Sequence, residues 1–202
     1  MYLEDLLEAD NFTIEATKIA GRFREEHRLP LLYQLGVVVT GIEDCASRLE
    51  DKGIGPFFIA KGSPVFWNER GRLGKPTVKL GVAFFRGVQI ELIEPLDDAL
   101  FYSSHLDPQG RMVVHHLGFL VGDVDKEALA LNREGCPTWV RGTIREFPVT
   151  AEFAYMDTVD KAGIIIEFIT MKYLGLRLPV PHAIYHALGA LQKASGARCW
   201  DT

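Results

Sequence analysis

Gln34-Leu-Gly-Val-Val-Val-Thr-Gly-Ile-Glu-Asp and His116-Leu-Gly-Phe-Leu-Val-Gly-Asp-Val-Asp-Lys are two copies of one pattern. Each opens on a polar residue, places Gly two positions later, continues as an apolar run and ends in an acidic helix start. A second pair matches further along: Val88-Gln-Ile-Glu-Leu-Ile and Ile164-Ile-Ile-Glu-Phe-Ile. Gln34 and His116 are 82 residues apart, Glu91 and Glu167 are 76 apart, and a longer loop in the first copy absorbs the difference. An internal repeat of this kind is read before any single element. Apolar alternation and turn residues place strands near 33–40, 56–61, 78–85 and 88–94 around a helix near 42–52. The second copy has strands near 115–122, 137–142, 152–157 and 163–170 around a helix near 125–134. One helix among four strands in each copy predicts an α+β fold of two βαβββ modules. Further helices are expected over 12–26, on the stripe Phe12, Ile14, Ala16, Ile19, Ala20 and Phe23, and over 182–193, after Pro179 and Pro181. The organisation expected is a helical extension over 1–30, modules over 31–98 and 99–173, and a second helical extension over 174–202.

Glu91 and Glu167 lie inside strongly apolar strands. A carboxylate buried there must be paired, protonated or metal-bound; otherwise alternation turns it toward water. Two of them at matching positions of a repeat, with Gln34 and His116 also matching, make a set of four. An amide oxygen, an imidazole and two carboxylates suit one divalent ion such as zinc, nickel, cobalt, manganese or magnesium. The absence of thiolates from the set speaks against a structural zinc site.

Of the 202 residues 48% are hydrophobic, enough for a sizeable core. A net charge of −5 leaves no footprint for nucleic acid. No apolar run is long enough to span a bilayer, and MYLEDLLEAD lacks the basic start of a secretory signal, so a cytoplasmic protein is expected. The three cysteines, Cys45, Cys136 and Cys199, form no CxxC pair and read as free thiols.

The ordered repeat resembles the vicinal oxygen chelate superfamily, which includes glyoxalases, methylmalonyl-CoA epimerases, bleomycin-resistance proteins and extradiol dioxygenases. The resemblance covers about residues 33 to 171. His115-His116-Leu-Gly-Phe-Leu-Val-Gly-Asp-Val looks like the opening of the second module in the epimerases, and Gln-Ile-Glu-Leu-Ile-Glu-Pro-Leu, ending at Leu96, like their fourth strand. The resemblance implies the fold of that superfamily with extra terminal helices, and a metal on Gln34, Glu91, His116 and Glu167, the ligands of the first and last strand of each module. It also implies proton transfer next to a carbonyl of a small-molecule substrate chelated through vicinal oxygens. Glu167 would be the base, Glu91 would face the opposite side of the substrate, and the protein would be a homodimer. Gln34 departs from the epimerase pattern and stands where an Fe(II) dioxygenase would want a histidine. The alternative is a metal-free, bleomycin-resistance-like member that binds an aromatic or polyketide-like small molecule, with an Fe(II) extradiol-type dioxygenase ranked behind it.

The loop from Ser63 to Pro76 carries Phe66, Trp67, Arg70, Arg72 and Lys75. It reads either as a cover with cations for an anionic substrate tail or as a solvated surface loop with aromatic anchors. Tyr102, Ser103 and His105 lie in a second long loop and are candidate pocket residues. His182 and His186 are spaced i, i+4, but with no acidic third ligand nearby they read as helix packing.

Overall fold

The computed structural model describes residues 1–201. Three short helices, α1 (Leu3–Leu7), α2 (Phe12–Lys18) and α3 (Gly21–Glu26), precede the first module. That module runs β1 (Gln34–Val38), α4 (Ile42–Asp51), β2 (Phe58–Gly62), β3 (Phe66–Glu69), β4 (Arg72–Leu73), β5 (Val78–Phe85) and β6 (Val88–Pro95). After α5 (Leu100–Ser103) the second runs β7 (Val113–Leu120), α6 (Val124–Arg133), β8 (Thr138–Glu146), β9 (Val149–Met156), α7 (Val159–Ala162) and β10 (Ile165–Tyr173). Then follow α8 (His182–Ser195) and β11 (Trp200–Asp201).

All strands join one sheet in the order β11-β2-β5-β6-β1-β7-β10-β9-β8-β3-β4. First and last strands of each module pair in parallel, β1 with β6 and β7 with β10, and the modules meet where β1 and β7 run antiparallel. Outward from that seam the two halves read alike, which is the symmetry that the repeat predicts. Two βαβββ modules with added terminal helices are therefore the architecture.

Alternation along the strands sorts side chains between two cores. Leu35 and Val37 of β1, with Leu117 and Phe119 of β7, face the side covered by α4, α6 and the N-terminal helices. There they meet Ile42, Leu49, Leu131, Phe12 and Phe23; each such side chain fully buried stabilises the fold by about 1.5–3 kcal/mol. Val38, Ile93 and Ile165 face the other side, toward Trp67, Phe101, Tyr102, Phe153 and Tyr155.

Two expectations are corrected here. The helix expected over 12–26 is broken at Ala20, which takes a left-handed conformation (φ 53°), and the Arg24 guanidinium takes the Thr17 carbonyl that the broken helix leaves free. The stretch from Ser63 to Pro76, expected to be a loop, forms the β3–β4 hairpin, turning at Arg70 and Gly71 with φ of 48° and 86°. β3 pairs with β8, so an insertion in the first module extends the sheet of the second.

At the other edge, α8 covers β2. The buried Gln192 side chain accepts from the Ile59 N–H and donates to its carbonyl, and Gly189 lies so close to the Phe57 backbone that a Cβ would come within 2.9 Å of it. Among the described residues no helix is long and apolar enough to cross a membrane.

Candidate functional site

The register of four central strands gathers the four polar residues. Across the seam Gln34 is opposite Gly118, and Gly36 is opposite His116. Glu91 neighbours Gly36 in the β1–β6 pair, and Glu167 neighbours Gly118 in the β7–β10 pair. The two glycines form the floor over which their neighbours lie. A Cβ on Gly36 would come within 1.8 Å of the His116 ring, and one on Gly118 within 2.8 Å of Gln34 Oε1. The Gly two residues into each repeat thus makes room for the polar residue that opens the other copy.

One irregularity adds a fifth residue. Past Gly36 the register shifts, so that Val37 is opposite Val114 and His115 has no partner. This bulge turns His115 to the same side as His116, and the two Nδ1 atoms are 3.1 Å apart.

His116 is fully buried, with Nε2 3.1 Å from Glu167 Oε2 and 3.7 Å from Glu91 Oε2. The shorter contact lacks the alignment of a hydrogen bond: His116 Nε2 and Glu167 Oε2 are both buried without a hydrogen-bond partner, as is Gln34 Oε1. Burial pushes the Glu91 carboxyl up to about 7, the Glu167 charge adds to the shift, and His116 and Gln34 oppose it. Burial, His116 and His105 hold His115 well below the ordinary histidine value, so it is neutral at pH 7. Tyr102 and Tyr155 share a hydrogen bond of 3.1 Å between hydroxyls, and burial raises both well above the usual phenol range.

Among the described residues no three His, Cys, Asp or Glu side chains form a finished metal-ion arrangement. His116 instead leans toward the two carboxylates. The donor set nevertheless fits a divalent cation: three buried polar atoms, from an amide, an imidazole and a carboxylate, lack partners, and Glu91 is the next side chain beside them.

These residues end a narrow cavity of about 60 Å³. Trp67, Val78, Phe153, Ile169 and Met171 make its apolar walls, and Gln34, Glu91 and Glu167 its polar end. A second cavity shares Pro64, Val78, Leu80 and Ile144 with it and continues past Ala60 and Glu146, which marks a way in between β2 and β8. Ligand sites ordinarily hold about 300 Å³ or more, so this cavity is too small to enclose a whole ligand of ordinary size.

The loop residues separate by face. Trp67 is buried and reaches the cavity, edge-to-face with Phe101 and Phe153, whereas Phe66 alternates outward and is 42% exposed. Arg70 does not reach it: it pairs with Asp157 at 2.7 Å and covers the Trp139 ring at 4.3 Å, tying the hairpin to the second module. Arg72 and Lys75 are exposed and do not line the cavity. His105 bonds the Phe101 carbonyl through Nδ1 and meets the site only through His115, their ring centroids being 4.6 Å apart. Tyr102 lines the cavity; Ser103 does not. His182 and His186 are exposed, with His182 against Phe84. Sequence reading missed Phe153, Tyr155 and Met171, which looked like ordinary alternating strand residues, and His115, whose only signal was adjacency to His116.

The Glyoxalase/Bleomycin resistance protein/Dioxygenase superfamily profile matches residues 33–150. No curated protein matches in sequence. Similar solved structures include a methylmalonyl-CoA epimerase from Mycobacterium tuberculosis, at 19% identity over 76% of this chain and 90% of that one, with a TM-score of 0.48. A variant of the Streptomyces coelicolor methylmalonyl-CoA epimerase, in complex with 2-nitronate-propionyl-CoA, is 16% identical over 70% and 96%, with a TM-score of 0.46. A hypothetical protein from Bacillus halodurans C-125 is 18% identical over 68% and 91%, with a TM-score of 0.45.

Proposed function

The chain belongs to the glyoxalase, bleomycin resistance protein and dioxygenase superfamily, and on that premise we propose that it transfers a proton at a carbon next to a carbonyl, as an isomerase, epimerase or lyase. The observation that carries this reading is the convergence of Gln34, Glu91, His116 and Glu167, two from each module, on one buried point where three polar atoms lack partners. Those four residues would hold a divalent cation. Bound there, such an ion supplies Lewis acidity toward the substrate's oxygens.

The residues themselves divide the proton work. Glu167, as a carboxylate, takes the proton from the carbon, and the electron pair of the broken C–H bond moves onto the adjacent carbonyl. Glu91 belongs to the other module and stands across the site from Glu167, so its carboxyl group is placed to return a proton from the opposite side. Return to the other face inverts the centre, whereas return to the neighbouring carbon isomerises. Trp67, Phe153 and Tyr155 line the cavity itself and keep water from the charge that develops. The narrow cavity accommodates the reacting end while the rest of the substrate lies in the passage between β2 and β8.

Solvent deuterium exchange tests this. Divalent-ion-loaded protein should wash deuterium into the α-position of a suitable α-hydroxy ketone or 2-substituted thioester. Glu167→Gln should keep the fold and lose that exchange by about 100-fold or more, the usual contribution of a positioned base. Undiminished exchange in Glu167→Gln removes Glu167 from the role.

A second reading, storage of an apolar molecule without chemistry, draws on the apolar wall of Trp67, Phe153, Ile169 and Met171. It predicts tight binding of a neutral aromatic compound and no exchange with any substrate.

A further inference from the structure

We infer that His115 is a positioning residue for His116: its Nδ1 accepts the proton on His116 Nδ1 and so presents His116 Nε2 as a bare lone pair toward Gln34, Glu91 and Glu167. The inference rests on the reading of those four side chains as one ligand set. Three observations carry it. The bulge in β7 places consecutive residues on the same side of the sheet, where a regular strand would send His115 to the opposite face. The two Nδ1 atoms lie 3.1 Å apart in a buried setting, so one nitrogen carries a proton and the other accepts it. His116 Nε2, by contrast, is 3.1 Å from Glu167 Oε2 without forming a hydrogen bond.

The direction of the bond follows from what surrounds His115. Its Nε2 is buried without an aligned side-chain partner, the Phe101 carbonyl acts on the ring as an acceptor, and the Phe101, Tyr102 and His105 ring centroids are 5.1, 5.3 and 4.6 Å from that of His115. A carbonyl oxygen favours an N–H beside it and repels a lone pair. Nε2 of His115 therefore carries its proton, Nδ1 is the acceptor, and His116 is the donor. A metal-binding histidine ordinarily gives its second N–H to a carboxylate or a carbonyl. Here a second histidine, made adjacent by a bulge, takes that place.

The test uses ¹⁵N-labelled protein, metal-free, at about pH 8, where an ordinary imidazole is neutral. Long-range ¹H–¹⁵N correlation assigns the tautomers, and ¹⁵N–¹⁵N coupling detects an N–H···N bond. Zinc affinity is measured by competition with a chromophoric chelator for wild type, His115→Phe and His115→Asn, each checked for fold by circular dichroism. The expected result is coupling between the two Nδ1 atoms, with the proton on His116. His115→Phe should move that proton to Nε2 and weaken zinc by about 10–100-fold, while His115→Asn, whose amide oxygen can accept, should stay within about threefold of wild type. A proton on His115 Nδ1, absence of the coupling, or equal zinc affinity in wild type and His115→Phe overturns the inference. Wild-type protein that shows the coupling and the tautomer yet takes up no zinc supports the His115 assignment and overturns the metal reading instead.

Discussion

Gly36 on β1 and His116 on β7 stand opposite one another across the seam, and the imidazole lies in the space where a Gly36 side chain would begin. The contact is reciprocal, because Gly118 yields the same kind of space to Gln34. Each module thus supplies a glycine for the other module's donor.

Gly36→Ala should therefore empty the site as well as destabilise it. A Cβ within 1.8 Å of the ring must displace a fully buried histidine or force β1 away from β7, at a cost of about 2 kcal/mol or more. Gly118→Ala should cost less, since its Cβ would meet Gln34 Oε1 at 2.8 Å, Gln34 Cβ at 2.9 Å and Ile169 Cδ1 at 3.0 Å, smaller overlaps than the 1.8 Å at Gly36. Gly122→Ala, with nothing within 4 Å of the new Cβ, should change stability by less than about 0.5 kcal/mol. Urea unfolding of the three variants, each with a zinc titration, orders them; a harmless Gly36→Ala would contradict the packing described.

Glu91 gives the metal-free protein a pH dependence of definite sign. Its carboxyl titrates near 7 when folded and near the ordinary value of about 4.3 when unfolded, so folding favours the protonated form. That contribution is complete below the unfolded value and is lost as pH rises through 7. Wild type should lose about 2 kcal/mol more than Glu91→Gln between pH 5 and pH 7.5, since the amide does not titrate. Parallel profiles for the two proteins in chelator-treated buffer would place the Glu91 carboxyl in the ordinary range.

Arg70 should prove structural. It joins Asp157 and the face of Trp139 and points away from the cavity, so Arg70→Ala should cost about 1 kcal/mol, the sum expected of an exposed ion pair and a cation–π contact. The hairpin should become more susceptible to proteolysis while zinc affinity stays unchanged. A variant of normal stability with weakened binding of an anionic substrate would return Arg70 to the role that its charge suggests in the sequence.

The repeat made the modules legible, because both ends of each copy carry recognisable residues: Gln34 and Glu91, His116 and Glu167. β5 falls on 78–85 as alternation predicts, whereas β8 runs on to Glu146 and β9 begins at Val149, outside the expected 137–142 and 152–157. Features that depend on tertiary contact were not legible. Arg70 takes a left-handed conformation that favours Gly or Asn, so Arg70-Gly71 gave little sign of a hairpin turn. The break at Ala20 is supported by Arg24 reaching back to Thr17, seven residues away. The face that Phe153 and Tyr155 present depends on which side of the sheet holds the site, and alternation alone leaves both faces equivalent. The bulge that turns His115 inward is a mismatch of register between β1 and β7, visible only once the strands are paired.

The central claim is that Gln34, Glu91, His116 and Glu167 hold one divalent ion. Elemental analysis of protein purified without chelators measures this directly, on wild type and on the His116→Ala, Glu167→Ala double variant, each confirmed folded. One equivalent of a divalent metal per chain in wild type, lost in the double variant, is the predicted result. A wild type without metal after reconstitution, or a double variant that keeps its full equivalent, would contradict it.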